Sequence, residues 1–407
     1  MKSETPVEKI AYLEFVVIVF MMMSLMALSI DTMLPALPQM GLDLGVQDPN
    51  DRQLIIPVLF LGLSIGQLFF GPLSDKTGRK PAIFSGYALF IVGALVSVFS
   101  TSFPIMLFGR FLQGLGISAP RIVTLALVRD RYAGRAMAKV MSFVMTAFIL
   151  VPMLAPSLGQ AIQNYFGWRG VFVFLIGLAL TTLVWFAYRM PETLAANQRA
   201  PFSLNRIATA TLEVMKNRTA LGYSLAAGLV SGAFIGYINS AQQILQEQYA
   251  LGEQFPLYFG VIGVSIGMAS FLNARLVEKY GMRFLVNRSL VMIILIACLG
   301  FLAALQSAGQ PPLWILIGYL MLTFFCIGIL FGNLNSLAME PLGHLAGIGA
   351  AVVGSLSTFI SMPLGTIIGQ NFNGTVFPII AGMGILIALS LLVVRWAEVL
   401  NPQEALE

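Results

Sequence analysis

The sequence predicts an all-α integral membrane protein, with twelve transmembrane helices arranged as two pseudo-symmetric six-helix bundles. Three observations lead there: a composition too apolar for water, twelve apolar runs of membrane-spanning length, and a repeat that relates the two halves. Of 407 residues, 58% are hydrophobic and 10% charged, against about 25% charged in an ordinary soluble domain. A hydrocarbon core about 30 Å thick takes roughly 20 helical residues to cross. Runs of that order fall at 11–36, 53–74, 80–100, 104–128, 136–163 and 167–190, then at 219–246, 255–277, 284–306, 311–338, 346–371 and 374–397. They are continuously apolar rather than alternating at period two, so they read as helices and not barrel strands.

The first run is too long for a secretory h-region, lacks a small-residue cleavage site and is followed by similar runs, so it counts as span one. Lysine and arginine set the orientation. With both termini inside, the inner loops hold Lys76, Arg79 and Lys80, then Arg129, Arg131, Arg135 and Lys139, then Arg275, Lys279, Arg283 and Arg288, whereas the outer loops hold Arg52 and Arg169. The net charge of +5 is thus spread over short loops, which argues against a nucleic-acid partner.

The central polar stretch divides the chain into an N-terminal bundle at 1–190, a cytoplasmic linker at 191–218 and a C-terminal bundle at 219–407. In the linker, Leu204, Ile207, Ala208, Leu212 and Met215 recur near helical spacing, as in a short amphipathic helix on the inner membrane surface. The loop after span two reads Gly71-Pro-Leu-Ser-Asp75-Lys-Thr-Gly78-Arg79-Lys80, and the loop after span eight reads Ala274-Arg-Leu-Val-Glu278-Lys-Tyr-Gly281-Met282-Arg283. Aligning Gly78 with Gly281 matches Leu73 to Leu276, Asp75 to Glu278 and Lys76 to Lys279. Two related halves around a midplane cavity are the expected transporter architecture.

Cys298 and Cys326 lie in apolar runs and read as small buried hydrophobes, and His344 has no neighbouring ligand partners, so neither a metal nor a cofactor is expected. No HExxH, buried Ser/His or paired-aspartate arrangement points to an enzyme. A receptor or scaffold would need a soluble domain or long tail, and the tail beyond Arg395 is short.

Three motifs carry a resemblance. GPLSDKTGRK after span two resembles the G-x-L-x-D-R-x-G-R-K/R loop of the major facilitator superfamily, with Lys76 where arginine is commoner. Gly109-Arg110-Phe-Leu-Gln113-Gly114-Leu-Gly116 in span four is similar to its R-x-x-Q-G-x-G motif. Pro152-Met-Leu-Ala155-Pro156-Ser-Leu-Gly159 in span five is similar to the pattern of its antiporters. With Asp31-Thr-Met-Leu-Pro35-Ala-Leu-Pro38 and His344-Leu-Ala-Gly347, the chain resembles the bicyclomycin/chloramphenicol-resistance (Bcr/CflA) group of drug–proton antiporters. The resemblance implies proton-coupled efflux of small organic molecules from a bacterial cytoplasm by a monomer in the inner membrane. An importer or uncoupled facilitator is the alternative, and the span-five motif argues against it.

Asp31 lies in an apolar span, where a charge costs a few kcal/mol. It is a candidate proton carrier on that ground, and the resemblance points to it as well; the alternative is a solvated helix end before Pro35. Arg110, also inside a span, is its natural electrostatic partner or else an anchor for neighbouring carbonyls, and the resemblance implicates it in coupling. Relatives of this kind carry a second acid where Met23 stands, which leaves Glu14 as the other acid of the span. By resemblance Gly71, Asp75, Gly78, Arg79 and Asp130 form an inner-side conformational latch, with Asp75 able to accept hydrogen bonds at a helix N-terminus. Pro152, Ala155, Pro156 and Gly159 form a kinked, closely packed helix that the resemblance makes a seal against leak. Polar groups inside spans nominate Gln113, Tyr237, Asn239, Gln242, Asn333 and Asn335 for the substrate cavity; the last two would serve equally as bonds between helices.

Overall fold

Each apolar run becomes a helix because lipid offers no partner for a free backbone N–H or C=O. The computed structural model describes residues 10–201 and 203–398, and within its helices the side chains at all positions but 135, 138, 142–149, 204, 206, 344 and 346. The expectations placed on Arg135, His344 and the linker's Leu204 fall on side chains outside the described residues. Eleven helical runs among the described residues are long and apolar enough to cross a membrane. One of them, Leu150–Arg189, belongs to a 56-residue helix, Gly134–Arg189, that breaks at Gly167 with φ 66° and ψ 178°. Its arms, 134–166 and 168–189, bring the crossings to twelve.

The membrane helices are α1 (Tyr12–Asp31), α2 (Ile55–Thr77), α3 (Arg79–Val98), α4 (Phe103–Arg131), α5 (134–166) and α6 (168–189). They continue as α7 (Arg218–Ala241), α8 (Phe255–Tyr280), α9 (Met282–Gln306), α10 (Leu313–Met339), α11 (Ala346–Gln370) and α12 (Phe377–Glu398). A separate helix, Leu204–Lys216, occupies the predicted amphipathic stretch. At 23 residues α2 is about 35 Å long, enough for the hydrocarbon core and a turn besides.

Two boundaries differ from the sequence reading, each for a local reason. Span one stops being α-helical at Asp31, because Pro35 has no N–H to offer the Asp31 carbonyl. A 3₁₀ turn, Leu34–Ala36, follows, and α-helix resumes over Leu37–Asp43 with Pro38 in its first turn. Span seven changes at Gln242 into a seven-residue π-helix, Gln242–Gln248, whose wider turns free backbone and amide groups for other bonds. The start of α7 is conventional: the Asn217 Oδ1 accepts from the Ala220 N–H at 2.9 Å.

Residues group by contact into two units, one comprising the chain to Val46 with Val58–Ile207, the other Gln47–Pro57 with the chain from Ala208. Small residues set the packing inside each. In the first unit a Cβ at Gly114 would meet the Leu59 carbonyl oxygen at 2.0 Å, one at Gly116 the Phe90 nitrogen at 2.4 Å, and one at Gly93 the Gln113 nitrogen at 2.6 Å. The glycines of the span-four motif therefore let α4 approach the backbones of α2 and α3. In the second unit, Gly365 lies against Ile235 and Gly369 against Asn239, which seats α11 on α7. Without water to drive helices together, such close backbone contact is the principal source of association.

The loop glycines bear on the internal repeat. Gly78 has φ 103° and ψ 164°, and Gly281 has φ 77° and ψ 157°. Both lie in the positive-φ region that glycine enters without steric penalty, and each precedes the next helix directly. The two loops aligned by sequence share one backbone conformation.

Gly114→Val places a branched side chain where a bare Cβ already overlaps the Leu59 carbonyl. The expected outcome is loss of the monodisperse folded protein in detergent, read by size-exclusion chromatography. Gly318→Val, where a Cβ meets nothing within 4 Å, is expected to behave as the parent.

Candidate functional site

In the first unit the two ionisable groups nominated from the middle of the sequence motifs are both buried, Asp31 at 4% exposure and Arg110 at 0%. A buried guanidinium must find acceptors for its N–H groups. Arg110 donates from Nη2 to the Ser29 carbonyl at 2.8 Å and from Nη1 to the Gln113 Oε1 at 2.8 Å. Gln113 in turn donates from Nε2 to the Ser97 Oγ at 2.8 Å and the Gly93 carbonyl at 3.3 Å. This chain of bonds crosses from α1 through α4 to α3. Arg110 thus takes the carbonyl-anchor role, and its bond ends two residues short of Asp31 on the same helix. Gln113 supports Arg110, with both of its amide atoms engaged.

Asp31 makes no ion pair among the described residues, and its Oδ1 is buried without a hydrogen-bond partner. Every other described acid of the first unit is engaged. Glu14 accepts from Arg189 at 2.5 and 2.8 Å and from the Trp185 indole at 3.0 Å. Asp43 accepts from the Trp168 indole at 2.8 Å and from Gln39 at 2.7 Å. Asp75, Asp130 and Glu192 belong to the cluster described below. Beside Asp31, a Cβ on Gly159 would lie 1.9 Å from the Thr32 carbonyl oxygen. The helix carrying Pro152 and Pro156 therefore presses its glycine against the backbone next to the carboxylate, with Ala155, Pro156 and Gly159 on its buried face. Met23, where a second acid was absent, is buried at 3% exposure.

The loop after α2 brings its motif residues together as expected, within one unit. Arg79 donates from Nη1 to Asp75 at 2.6 Å and to the Ser74 Oγ at 2.9 Å, and from Nε to Asp130 at 2.9 Å. Gly71 contributes its carbonyl to the Ser74 hydroxyl at 2.8 Å. The location of Asp75 is the correction here, because it occupies the last turn of α2. The acid seated on a helix N-terminus is Glu192, from the linker, which the sequence reading passed over. Its carboxylate accepts from the Arg79 N–H at 2.8 Å and the Lys80 N–H at 3.0 Å, where α3 has no side-chain cap of its own. Next to it the Thr193 hydroxyl donates to Asp130 at 2.9 Å, and the Ala200 N–H donates to the Asp75 carbonyl at 3.0 Å. The signal was available: an acid just past span six, and a helix opening directly after a glycine with four donors to satisfy.

In the second unit the nominated cavity residues separate. Asn333 and Asn273 exchange bonds at 2.9 and 3.4 Å, joining α10 to α8. Asn335 is exposed and bonds its own helix through the Phe331 carbonyl. Gln242 opens the π-helix and bonds Gln246 and Glu247 at 3.2 and 3.0 Å. Tyr237 lies among rings, 4.7 Å from Phe324 and 5.8 Å from Phe259 between centroids. Asn239, one face further along α7, is buried at 1% with neither amide atom hydrogen-bonded. A buried amide left unmatched costs about 1–3 kcal/mol, so Asn239 is the strongest of these for a ligand. Glu247 forms an ion pair with Arg52, and Asn50 and Gln370 exchange side-chain-to-backbone bonds at 3.0 and 2.9 Å, so residues 47–57 are held on the second unit.

No cluster of His, Cys, Asp and Glu among the described residues could hold a metal. The chain matches the family model described as Major Facilitator Superfamily over residues 19–362. It is 30% identical over 375 residues to the bicyclomycin resistance protein homolog of Haemophilus influenzae, covering 89% of this chain and 90% of that one. The uncharacterized MFS-type transporter YdgK of Bacillus subtilis is 30% identical over 351 residues, covering 84% and 85%. Multidrug resistance protein D of Escherichia coli is 26% identical over 368 residues, covering 88% and 89%. Among solved structures, the human organic anion transporter MFSD10 superposes with a TM-score of 0.69 at 18% identity, over 97% of this chain and 100% of that one. The xylose transporter XylE of E. coli gives 0.71 at 15% identity, over 93% and 97%.

Two outcomes follow from the geometry. Glu192→Ala removes the cap from α3 and is expected to cost roughly 0.5–2 kcal/mol, seen as a lowered melting temperature in detergent, with Glu192→Gln intermediate. Gly159→Leu forces α5 away from Thr32 and is expected to reduce transport at least tenfold at undiminished expression, measured in vesicles beside the tolerant Gly177→Leu.

Proposed function

The chain belongs to the major facilitator superfamily, and from that premise we propose that it exports small organic molecules, drugs among them, in exchange for protons. The observation that carries the reading is Asp31: alone among the described acids of the first unit it has a buried oxygen with no partner. A charged carboxylate there costs a few kcal/mol, and protonation removes the charge. The residue thus has a reason to bind a proton when its surroundings are dry and to release it when they become wet. Arg110, held by Ser29 of the same helix, couples α1 to α4 and transmits a change at Asp31 to the rest of the bundle.

In this reading the bundles 1–190 and 219–407 rock about a central site, with 191–218 as their tether. Asp75, Arg79 and Asp130 act as the inner latch, Pro152, Ala155, Pro156 and Gly159 as the seal, and Tyr237, Asn239 and Gln242 as substrate contacts. The protein works as a monomer in a bacterial inner membrane, with both termini in the cytoplasm. Export of drugs is favoured by the relatives named for bicyclomycin and multidrug resistance. Proton entry supplies about 1.4 kcal/mol per pH unit and ~2.3 kcal/mol per 100 mV. A combined force near 2.7 kcal/mol sustains roughly a hundredfold gradient of a neutral substrate for each proton.

The test is proton release from the purified protein in weakly buffered detergent on adding bicyclomycin and a panel of neutral and cationic antibiotics. Acidification is expected in the parent and in Glu14→Gln, and is expected to vanish in Asp31→Asn. Release that persists in Asp31→Asn moves the proton site elsewhere. A compound shown by calorimetry to bind without any release overturns antiport in favour of facilitation.

A further inference from the structure

Phe284, Asn287, Arg288 and Val291 recur at i, i+3, i+4 and i+7, so they share one face of α9. With Arg395 from the last turn of α12 they line an open cleft of about 330 Å³ within the second unit. Two guanidiniums face this cleft, and neither Arg288 nor Arg395 donates a hydrogen bond or joins an ion pair among the described residues. Arg288 is 5.3 Å from the Phe284 ring centroid, a contact that orients it without neutralising it. Of the nearby carboxylates, Glu340 pairs with Arg283 at 3.3 Å, whereas Glu398 accepts from two neutral groups, the Tyr223 hydroxyl at 2.6 Å and Asn287 at 3.4 Å. Asn287 also bonds the Arg283 carbonyl at 3.2 Å.

Depth completes the picture. Arg288 lies six residues inside the start of α9 at Met282, about 9 Å along the axis. A 25-residue helix outspans the core by about 4 Å at each end, so a helix centred in the bilayer would set Arg288 about 5 Å inside the hydrocarbon edge, within snorkelling reach of the interface. Val291 continues the same face almost one turn deeper. Arg288 and Arg395 are both exposed where they line the cleft, and a phosphate there would meet two guanidinium forks, each suited to bidentate bonding.

We propose that this cleft binds the phosphate of an anionic phospholipid, between Arg288 and Arg395, with an acyl chain laid along the α9 face past Val291. A cleft of about 330 Å³ has room for a phosphodiester with its glycerol.

The full chain, purified in detergent, is titrated with phosphatidylglycerol, phosphatidylcholine and inorganic phosphate, and bound ligand is counted by native mass spectrometry. Phosphatidylglycerol is expected to bind the parent, with affinity about fivefold weaker in Arg288→Gln or Arg395→Gln and weaker again in the double variant. The control Arg275→Gln, a loop-side arginine outside the cleft, is expected to keep parental affinity. Equal binding of phosphatidylcholine, or unchanged phosphatidylglycerol affinity in the double variant, overturns the proposal. Inorganic phosphate that occupies the cleft and displaces the lipid at equal concentration assigns a soluble anion instead and overturns the lipid assignment.

Discussion

The first unit depends on how a fully buried guanidinium is satisfied. Arg110 is fully buried, and leaving its donors unmatched inside a membrane protein costs several kcal/mol. Its bonds to the Ser29 carbonyl and Gln113, and those of Gln113 to Ser97 and Gly93, fix three helices at one level. Because Ser29 is two residues from Asp31, the same bonds fix where the candidate proton carrier lies. The carbonyl anchor and the coupling role are therefore compatible. A group that holds α1 by its backbone registers any shift of that helix, whether or not it touches the carboxylate.

Close packing makes that arrangement possible. The span-four motif places Arg110 and Gln113 on a helix whose glycines, 114 and 116, allow the backbones of α2 and α3 to come within contact. Larger residues there would separate the helices and stretch the bonds of Gln113. Gly159 does the same for α5 against Thr32. The polar and the small residues of these motifs thus form one device, in which small residues bring backbones close enough for a few polar side chains to satisfy one another.

Much of this was legible in the sequence, for reasons that particular elements make plain. Helix positions followed from the length of the apolar runs, because the bilayer imposes that length. The repeat that aligns Gly78 with Gly281 was legible, and the positive φ at both gives the physical reason for a glycine in each copy. The bonds between elements were not legible. Asn333 pairs with Asn273, sixty positions earlier, and only packing of α8 on α10 reveals it. The π-helix at Gln242 escaped notice because its residues are ordinary and its geometry depends on partners in 47–57. Glu192 was missed because a polar linker reads as a tether, whereas its carboxylate caps α3, which opens without a side-chain cap of its own.

That last contact links the segment after α6 to the charge cluster of the loop after α2. Asp130 receives both Arg79 and the Thr193 hydroxyl, while Glu192 holds the two N–H groups that begin the helix bearing Arg79. The guanidinium of Arg79 is therefore bounded by two acids, Asp75 and Asp130, while a third, Glu192, holds the backbone amides of the helix that carries it. A carboxylate on the N-terminal amides of α3 is favoured by the helix dipole as well as by its hydrogen bonds. It also lies so close to Gly78 that a Cβ there would stand 2.6 Å from Glu192 Oε2. The glycine of the loop motif thus has two reasons to be glycine, its backbone angle and the linker acid packed over it. The linker is built into the loop cluster of the first unit rather than merely strung after α6.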